Sequence, residues 1–218
     1  MNLNRIIVTF SILACFGFSD EHADIIEGRD YTILSKPQST SNNNVIEVLN
    51  FFWYGCQYCA QLRPQIQAWL ENKSSDIHFQ EIPAILHMSW IPAAKLFFSI
   101  QQINAVDTLH NQTFNAIHQN NINLHEGSSL FNWIEKQGKN RDEFINTYQS
   151  IDVQKNIARA THTTRQYQIT GVPAIVVDGK YLTNTKMGGT AENTLAIINK
   201  LVEKARRDKA KSKSTPGD

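Results

Sequence analysis

Cysteine is scarce in this chain, with three among 218 residues, at positions 15, 56 and 59. Small secreted domains stapled by disulfides carry several separated pairs, so that architecture does not apply. No second Cys-x-x-Cys is present and no histidine pair has finger-like spacing, which argues against a zinc site and leaves no metal centre to expect. His78, His87, His110, His118, His125 and His162 form no cluster in sequence and read as surface or satisfied core residues. An excess of either charge is also missing: 21 basic against 20 acidic side chains leave a formal +1. Nothing in that balance suggests nucleic acid or an anionic membrane as partner. No internal repeat is found.

What is present is enough hydrophobic material, 41% of the residues, for one domain of ordinary size or one with a sizeable insertion. Residues 1–19 read as a secretory signal, with Arg5 as a short positive region and Ile6 to Ala14 as an apolar run too short to span a bilayer. Gly17 and Ser19 suit the positions before a cut at Asp20. Ile12-Leu13-Ala14-Cys15 also loosely resembles a lipoprotein processing site, but Leu13 stands where a small residue is usual, so a lipid anchor on Cys15 is the second option. Removing the signal leaves Cys56 and Cys59 alone, in a chain sent to an oxidising compartment. As an inert bridge, so tight a pair would restrain little chain, which points to chemistry rather than stapling.

Cys56-Gln57-Tyr58-Cys59 follows the apolar run Val45 to Tyr54 and opens a helical stripe of Leu62, Ile66, Trp69 and Leu70. A sulfur at the junction of strand and helix meets first-turn N–H groups that lack intrahelical partners and carry the positive end of the helix dipole, which stabilises a thiolate. The i, i+3 spacing puts both sulfurs on one helical face, close enough to form a disulfide. Pro64 should kink this helix without ending it.

Tyr31 to Leu34 reads as a short strand, residues 45–52 as a central one, and Asp76 to Ile82 as a third, stopped by Pro83. Ile91 to Ile103, Val106 to His118, Ser129 to Gln137, Arg141 to Tyr148 and Val153 to Tyr167 read as helices, with Trp90 and Trp133 as packing residues among them. Gly127-Ser128-Ser129 and Gly138 to Arg141 are their punctuation, with Ser or Asn available as caps. Pro173 to Val177 and Lys180 to Leu182 flank Asp178-Gly179, a strong hairpin signal. Leu195, Ile198, Leu201 and Val202 mark a last helix, and residues 206–218 read as a flexible basic tail.

A βαβ unit with Cys-x-x-Cys at its strand-to-helix turn and a later ββα unit give the element order of a thioredoxin-like fold. The chain further resembles the DsbA family of thiol:disulfide oxidoreductases. The matching pieces are Glu27 to Tyr31 leading to Lys36-Pro37, Phe51-Phe52-x-x-x-Cys56-x-x-Cys59, and Gly171-Val172-Pro173 running to Tyr181. The resemblance implies an α/β class, with a thioredoxin-like domain at 25–85 and 168–205 and an all-helical insertion at 86–167. It implies a cis bond before Pro173, and a redox loop and substrate groove formed by Gln57, Tyr58, Val172, Pro173 and Tyr54 around catalytic Cys56 and Cys59. It also implies a periplasmic monomer that oxidises reduced secreted proteins with no cofactor beyond the disulfide itself, and a quinone-linked membrane oxidase of the DsbB type as partner. A disulfide isomerase or reductase is the alternative, although no extra dimerisation region is evident, as is a peptide-binding chaperone with an idle disulfide.

Two departures bear on strength rather than on type. Well-known members carry Pro-His between the cysteines, where this chain has Gln57-Tyr58. Many have a buried acid six positions before the first cysteine, where this chain has Asn50. Glu47, three residues away, falls on the opposite strand face. The expectation is a water-mediated proton route or slower turnover.

Overall fold

The computed structural model describes residues 24–214 apart from 41, 43 and 126. The expected signal, the Cys15 processing site and positions 215–218 lie outside those residues. The strands are β1 (Thr32–Ile33), β2 (Ile46–Phe52), β3 (Ile77–Pro83), β4 (Ala174–Val177) and β5 (Tyr181–Asn184). Helix α1 (Gln57–Asn72) joins β2 to β3. Helices α2 (Ile91–Gln102), α3 (Val106–His118), α4 (Gly127–Lys136), α5 (Arg141–Gln149) and α6 (Ile151–Gln166) separate β3 from β4, and α7 (Thr185–Gly188) and α8 (Ala191–Ser214) close the chain.

Residues 46–52 are apolar at every position except Glu47 and Asn50, as a strand covered on both faces requires. Accordingly β2 lies inside the sheet order β1-β5-β4-β2-β3, parallel to β3 and antiparallel to β4. The pleat sends alternate side chains to two cores. Val48, Ile175 and Val177 pack against Leu62 and Ile66 of α1 and Ile198 and Leu201 of α8. Leu49, Phe51, Ala174 and Val176 face the other way, into a core shared with Phe97, Leu109 and Phe144 of the helices between β3 and β4. Each of these side chains except Ala174 contributes roughly 1.5–3 kcal/mol by leaving water. The sheet is thereby fixed between two helical layers, with the C-terminal end of β2 beside the start of α1.

Helix α1 runs through Pro64 without a break. The hairpin between β4 and β5 turns on Asp178 (φ 52°) and Gly179 (φ 64°), both in the left-handed region. A side chain at Gly179 would put Cβ 2.1 Å from the Gln38 carbonyl oxygen, so glycine is required for space as well as for conformation. Asn140 caps α5 by accepting from the Glu143 amide at 3.0 Å, as expected. Gly127, Ser128 and Ser129 instead form the first turn of α4 rather than preceding it.

The C-terminal segment corrects the reading of a tail from residue 206. Helix α8 continues to Ser214 because distant acids meet its basic face. Arg206 forms a bidentate pair with Asp76 (2.7 and 2.6 Å), and Lys209 reaches both Asp178 (2.7 Å) and the Val45 carbonyl (2.7 Å). Such partners are invisible to composition, which registers only the basic run.

Candidate active site

Cys56 is the N-cap of α1, at the end of the turn that leaves β2. Its sulfur accepts from the Cys59 amide at 3.4 Å, and its own S–H lies 3.3 Å from the Val172 carbonyl. The Cys56 sulfur is half-buried and that of Cys59 is buried, and both are free thiols here. The two diverge in acidity. A hydrogen bond from the Cys59 thiol, reinforced by the Cys59 and Tyr58 amides, outweighs burial and lowers the Cys56 thiol from 9.0 to about 6. Burial, with the Cys56 sulfur and the nearby Glu81 carboxylate adding to it, pushes the Cys59 thiol well above its usual value. One sulfur is therefore an accessible anion near neutral pH and the other a protonated reserve one helical turn further in.

The bond between Val172 and Pro173 is cis, and its loop faces the dithiol. An open groove of about 510 Å³ runs from Tyr58 along Gly171, Val172 and Pro173 to Leu182. Tyr58 is 61% exposed at its mouth. Gln57, Tyr58, Val172 and Pro173 are thus gathered around Cys56.

Tyr54 departs from expectation. It is 1% exposed and is not among the residues that line this groove. Its ring packs on Phe52 and Phe114, and its hydroxyl meets His110 Nδ1 at 2.7 Å, so it anchors the redox turn from below. The histidines are not scattered either, since His110 and His118 of α3 both bond to Tyr54, His118 through Nε2 to the Tyr54 carbonyl at 2.7 Å. Trp90 is more than a packing residue of the insertion: it stacks on Trp53 with ring centroids 4.3 Å apart and planes 2° from parallel.

A buried ionic group beneath the dithiol escaped the sequence reading. Asn50 pairs in register with Glu81 of β3, and its amide donates to Glu81 Oε2 at 2.7 Å. Arg63 of α1 donates to Glu81 Oε1 at 2.5 Å and to Asn111 of α3 at 2.5 Å. His110 Nε2 lies 3.7 Å from Glu81, beyond hydrogen-bond reach, and burial holds that imidazole neutral. The site therefore has a buried carboxylate, supplied by the neighbouring strand rather than by position 50. A signal for it existed: in β3 the inward positions are Ile77, Phe79 and then Glu81, a charge where the alternation calls for an apolar side chain. Glu47 lies on the opposite face, near Tyr167.

Among the described residues no group of three or more His, Cys, Asp or Glu side chains could hold a metal ion, and no helix is long and apolar enough to cross a membrane. Residues 65–197 match a family model described as "DSBA-like thioredoxin domain". The "Thiol:disulfide interchange protein DsbA" of Pseudomonas aeruginosa is 31% identical over 196 residues, 90% of this chain and 93% of the relative. That of Pseudomonas syringae pv. tomato is 31% identical over 207 residues, 94% and 97% of the two chains. The crystal structure of Pseudomonas aeruginosa DsbA superposes with a TM-score of 0.78 at 32% identity, covering 83% of this chain and 94% of that one. The DsbA oxidoreductase structure from Xylella fastidiosa gives 0.76 at 26% identity.

Proposed function

Because this chain belongs to the DSBA-like thioredoxin family and is a thiol:disulfide oxidoreductase of that fold, we propose that Cys56 is its exchanging sulfur and Cys59 its resolving one. The observation that carries this assignment is the asymmetry of the two thiols, with Cys56 half-buried and acidic and Cys59 buried and protonated.

In the oxidised enzyme a substrate thiolate attacks the Cys56 sulfur and forms a new S–S bond. The Cys56–Cys59 bond breaks, and its electron pair passes to the Cys59 sulfur, which takes up a proton. A second substrate thiolate then attacks the substrate sulfur of the mixed disulfide and expels Cys56 as the thiolate. The substrate loses two electrons and the enzyme gains them, with no other cofactor. The leaving group is good because its anion is already stabilised at the helix start.

The groove flanked by Tyr58, Val172 and Pro173 receives the extended substrate, a reduced secreted protein in the periplasm. Pro173 has no N–H to satisfy, and the Val172 backbone beside Cys56 is placed to bond a passing chain. A membrane oxidase of the DsbB type returns the dithiol to the disulfide. The exchange domain comprises 25–85 and 168–205 together with the rest of α8, and 86–167 form the insertion of a monomeric protein.

The test uses the purified mature chain, oxidised, with a reduced dithiol peptide. Stoichiometric oxidation is expected, with loss of activity in Cys56→Ser; Cys59→Ser, given the peptide in its disulfide form instead, should accumulate a Cys56–peptide mixed disulfide, because the peptide's second thiol leaves and no Cys59 thiol resolves the bond. Peptide oxidation retained in Cys56→Ser would sink the assignment.

A further inference from the structure

Helix α3 presents His110, Phe114 and His118 at i, i+4 and i+8, one stripe of the helix, and all three meet the turn that carries Cys56. His110 takes the Tyr54 hydroxyl, Phe114 packs on the Tyr54 ring with centroids 5.0 Å apart, and His118 takes the Tyr54 carbonyl. His118 also lies over Phe114, the planes 22° apart. A carbonyl only accepts, so His118 Nε2 carries a proton. Its other nitrogen, Nδ1, lies 3.2 Å from Gln57 Oε1. A glutamine amide satisfies that nitrogen in either ring state, through its oxygen when the ring is charged and its NH₂ when it is neutral.

These two contacts straddle the sulfur in sequence. Tyr54 belongs to the turn closed by the Cys56 amide on the Trp53 carbonyl at 3.0 Å, and Gln57 is the first residue of α1. Between them stands Cys56, which depends on the amides of Tyr58 and Cys59 being aimed at it. Gln57 occupies a position where a residue without a side-chain hydrogen bond would leave His118 Nδ1 unpartnered within the protein.

We propose that His118 is a positioning residue for the redox reaction: it clamps Tyr54 and Gln57 on either side of Cys56 and so holds the first turn of α1 with its amides on the Cys56 thiolate. The inserted helices then set the oxidising strength as well as covering the sheet. The proposal rests on the assignment of Cys56 as the exchanging sulfur. Only the reduced enzyme has a thiolate for those amides to stabilise, so the clamp favours the reduced form over the oxidised one.

The experiment is the equilibrium of the full mature chain with glutathione buffers, for wild type, His118→Ala, Gln57→Ala, the double variant and His118→Gln. Urea unfolding of both redox forms accompanies each. His118→Ala should shift the equilibrium toward oxidised enzyme by roughly fivefold, the worth of one hydrogen bond. Gln57→Ala should shift it the same way by about twofold, as one solvent-exposed contact of that pair. The double variant should go no further than His118→Ala, because Gln57 acts through His118. His118→Gln, which can still donate to the Tyr54 carbonyl, should recover most of the loss.

An unchanged equilibrium in the variants, with both redox forms destabilised equally, would overturn the clamp and leave a merely structural histidine. Fully additive single effects would overturn the coupling through Gln57. If His118→Ala does not fold, the exposed Gln57→Ala decides: an equilibrium equal to wild type overturns the proposal. A wild-type chain that fails to exchange with glutathione at all overturns the role of Cys56 itself, an outcome distinct from failure of the clamp.

Discussion

The reduced protein should gain stability relative to its oxidised form as the pH rises from about 6 to about 9, and the sign follows from the Cys56 thiol. Its acidity in the folded state is shifted from 9.0 to about 6, so between those values the unfolded chain holds a proton that the folded chain has released. Stability contributed by such a group is fully present above the unfolded value and disappears as pH falls through the folded one. Cys59 has the opposite sign, because its folded thiol stays protonated, but it acts only above the pH at which the unfolded thiol would ionise. A displacement from 9.0 to about 6 corresponds to about 4 kcal/mol, and solvent at the half-exposed sulfur reduces this to about 2 kcal/mol. With a urea dependence of about 2 kcal/mol per molar, the reduced form's midpoint should move upward by about 1 M relative to the oxidised form's. The assay is urea unfolding of the two forms at pH 5, 7 and 9, with Cys56→Ala, which has no thiol to titrate at that position and exists only as the single-thiol form, as the control whose midpoint should not rise with pH. Midpoints of the two forms that move in parallel, or a reduced form that weakens as pH rises to 9, would mean that Cys56 is not an acidic thiol in the folded protein.

Three further outcomes are expected. Glu81→Gln leaves buried Arg63 without a paired charge and should cost about 3 kcal/mol in urea unfolding; it should also let the Cys59 thiol ionise at lower pH, read by alkylation of Cys59 in a Cys56→Ser background. Pairing it with Arg63→Met should recover most of the stability, and no recovery would mean that the ion pair is not what Glu81 supplies. Truncation after Ala205 removes the Arg206–Asp76 and Lys209–Asp178 pairs and should lower stability by about 2 kcal/mol in calorimetry, where an unshifted transition would restore the reading of a flexible tail. Gly179→Ala forces a Cβ to within 2.1 Å of the Gln38 carbonyl at positive φ and should cost about 2 kcal/mol, while thiol exchange by the folded fraction stays unchanged.

Local rules made most of the architecture legible. The apolar run of β2, the Asp178-Gly179 hairpin and the stripes of α2, α3, α5 and α6 each obey a periodicity or a turn preference that a few residues carry. The dithiol was legible for the same reason, since Cys56 and Cys59 are neighbours on one helix. The rest depends on contacts between residues far apart in sequence. Glu81 reaches Asn50 and Arg63 only once the β2–β3 register is set, and His118 meets Tyr54 and Gln57 only once α3 has docked. Tyr54 misled because proximity to Cys56 in sequence suggested the groove, whereas the turn directs its side chain into the core. The extension of α8 to Ser214 rests on Asp76 and Asp178, each contributed by a distant element.

The proposed function requires Cys56 and Cys59 to form an oxidising couple despite Gln57-Tyr58 between them. Equilibrating the full mature chain with glutathione buffers of known ratio measures that couple directly. A potential at or above about −200 mV is predicted, on the oxidising side of the cytosolic glutathione poise. A potential near that of thioredoxin, about −270 mV, would contradict an oxidase role and make the protein a reductant.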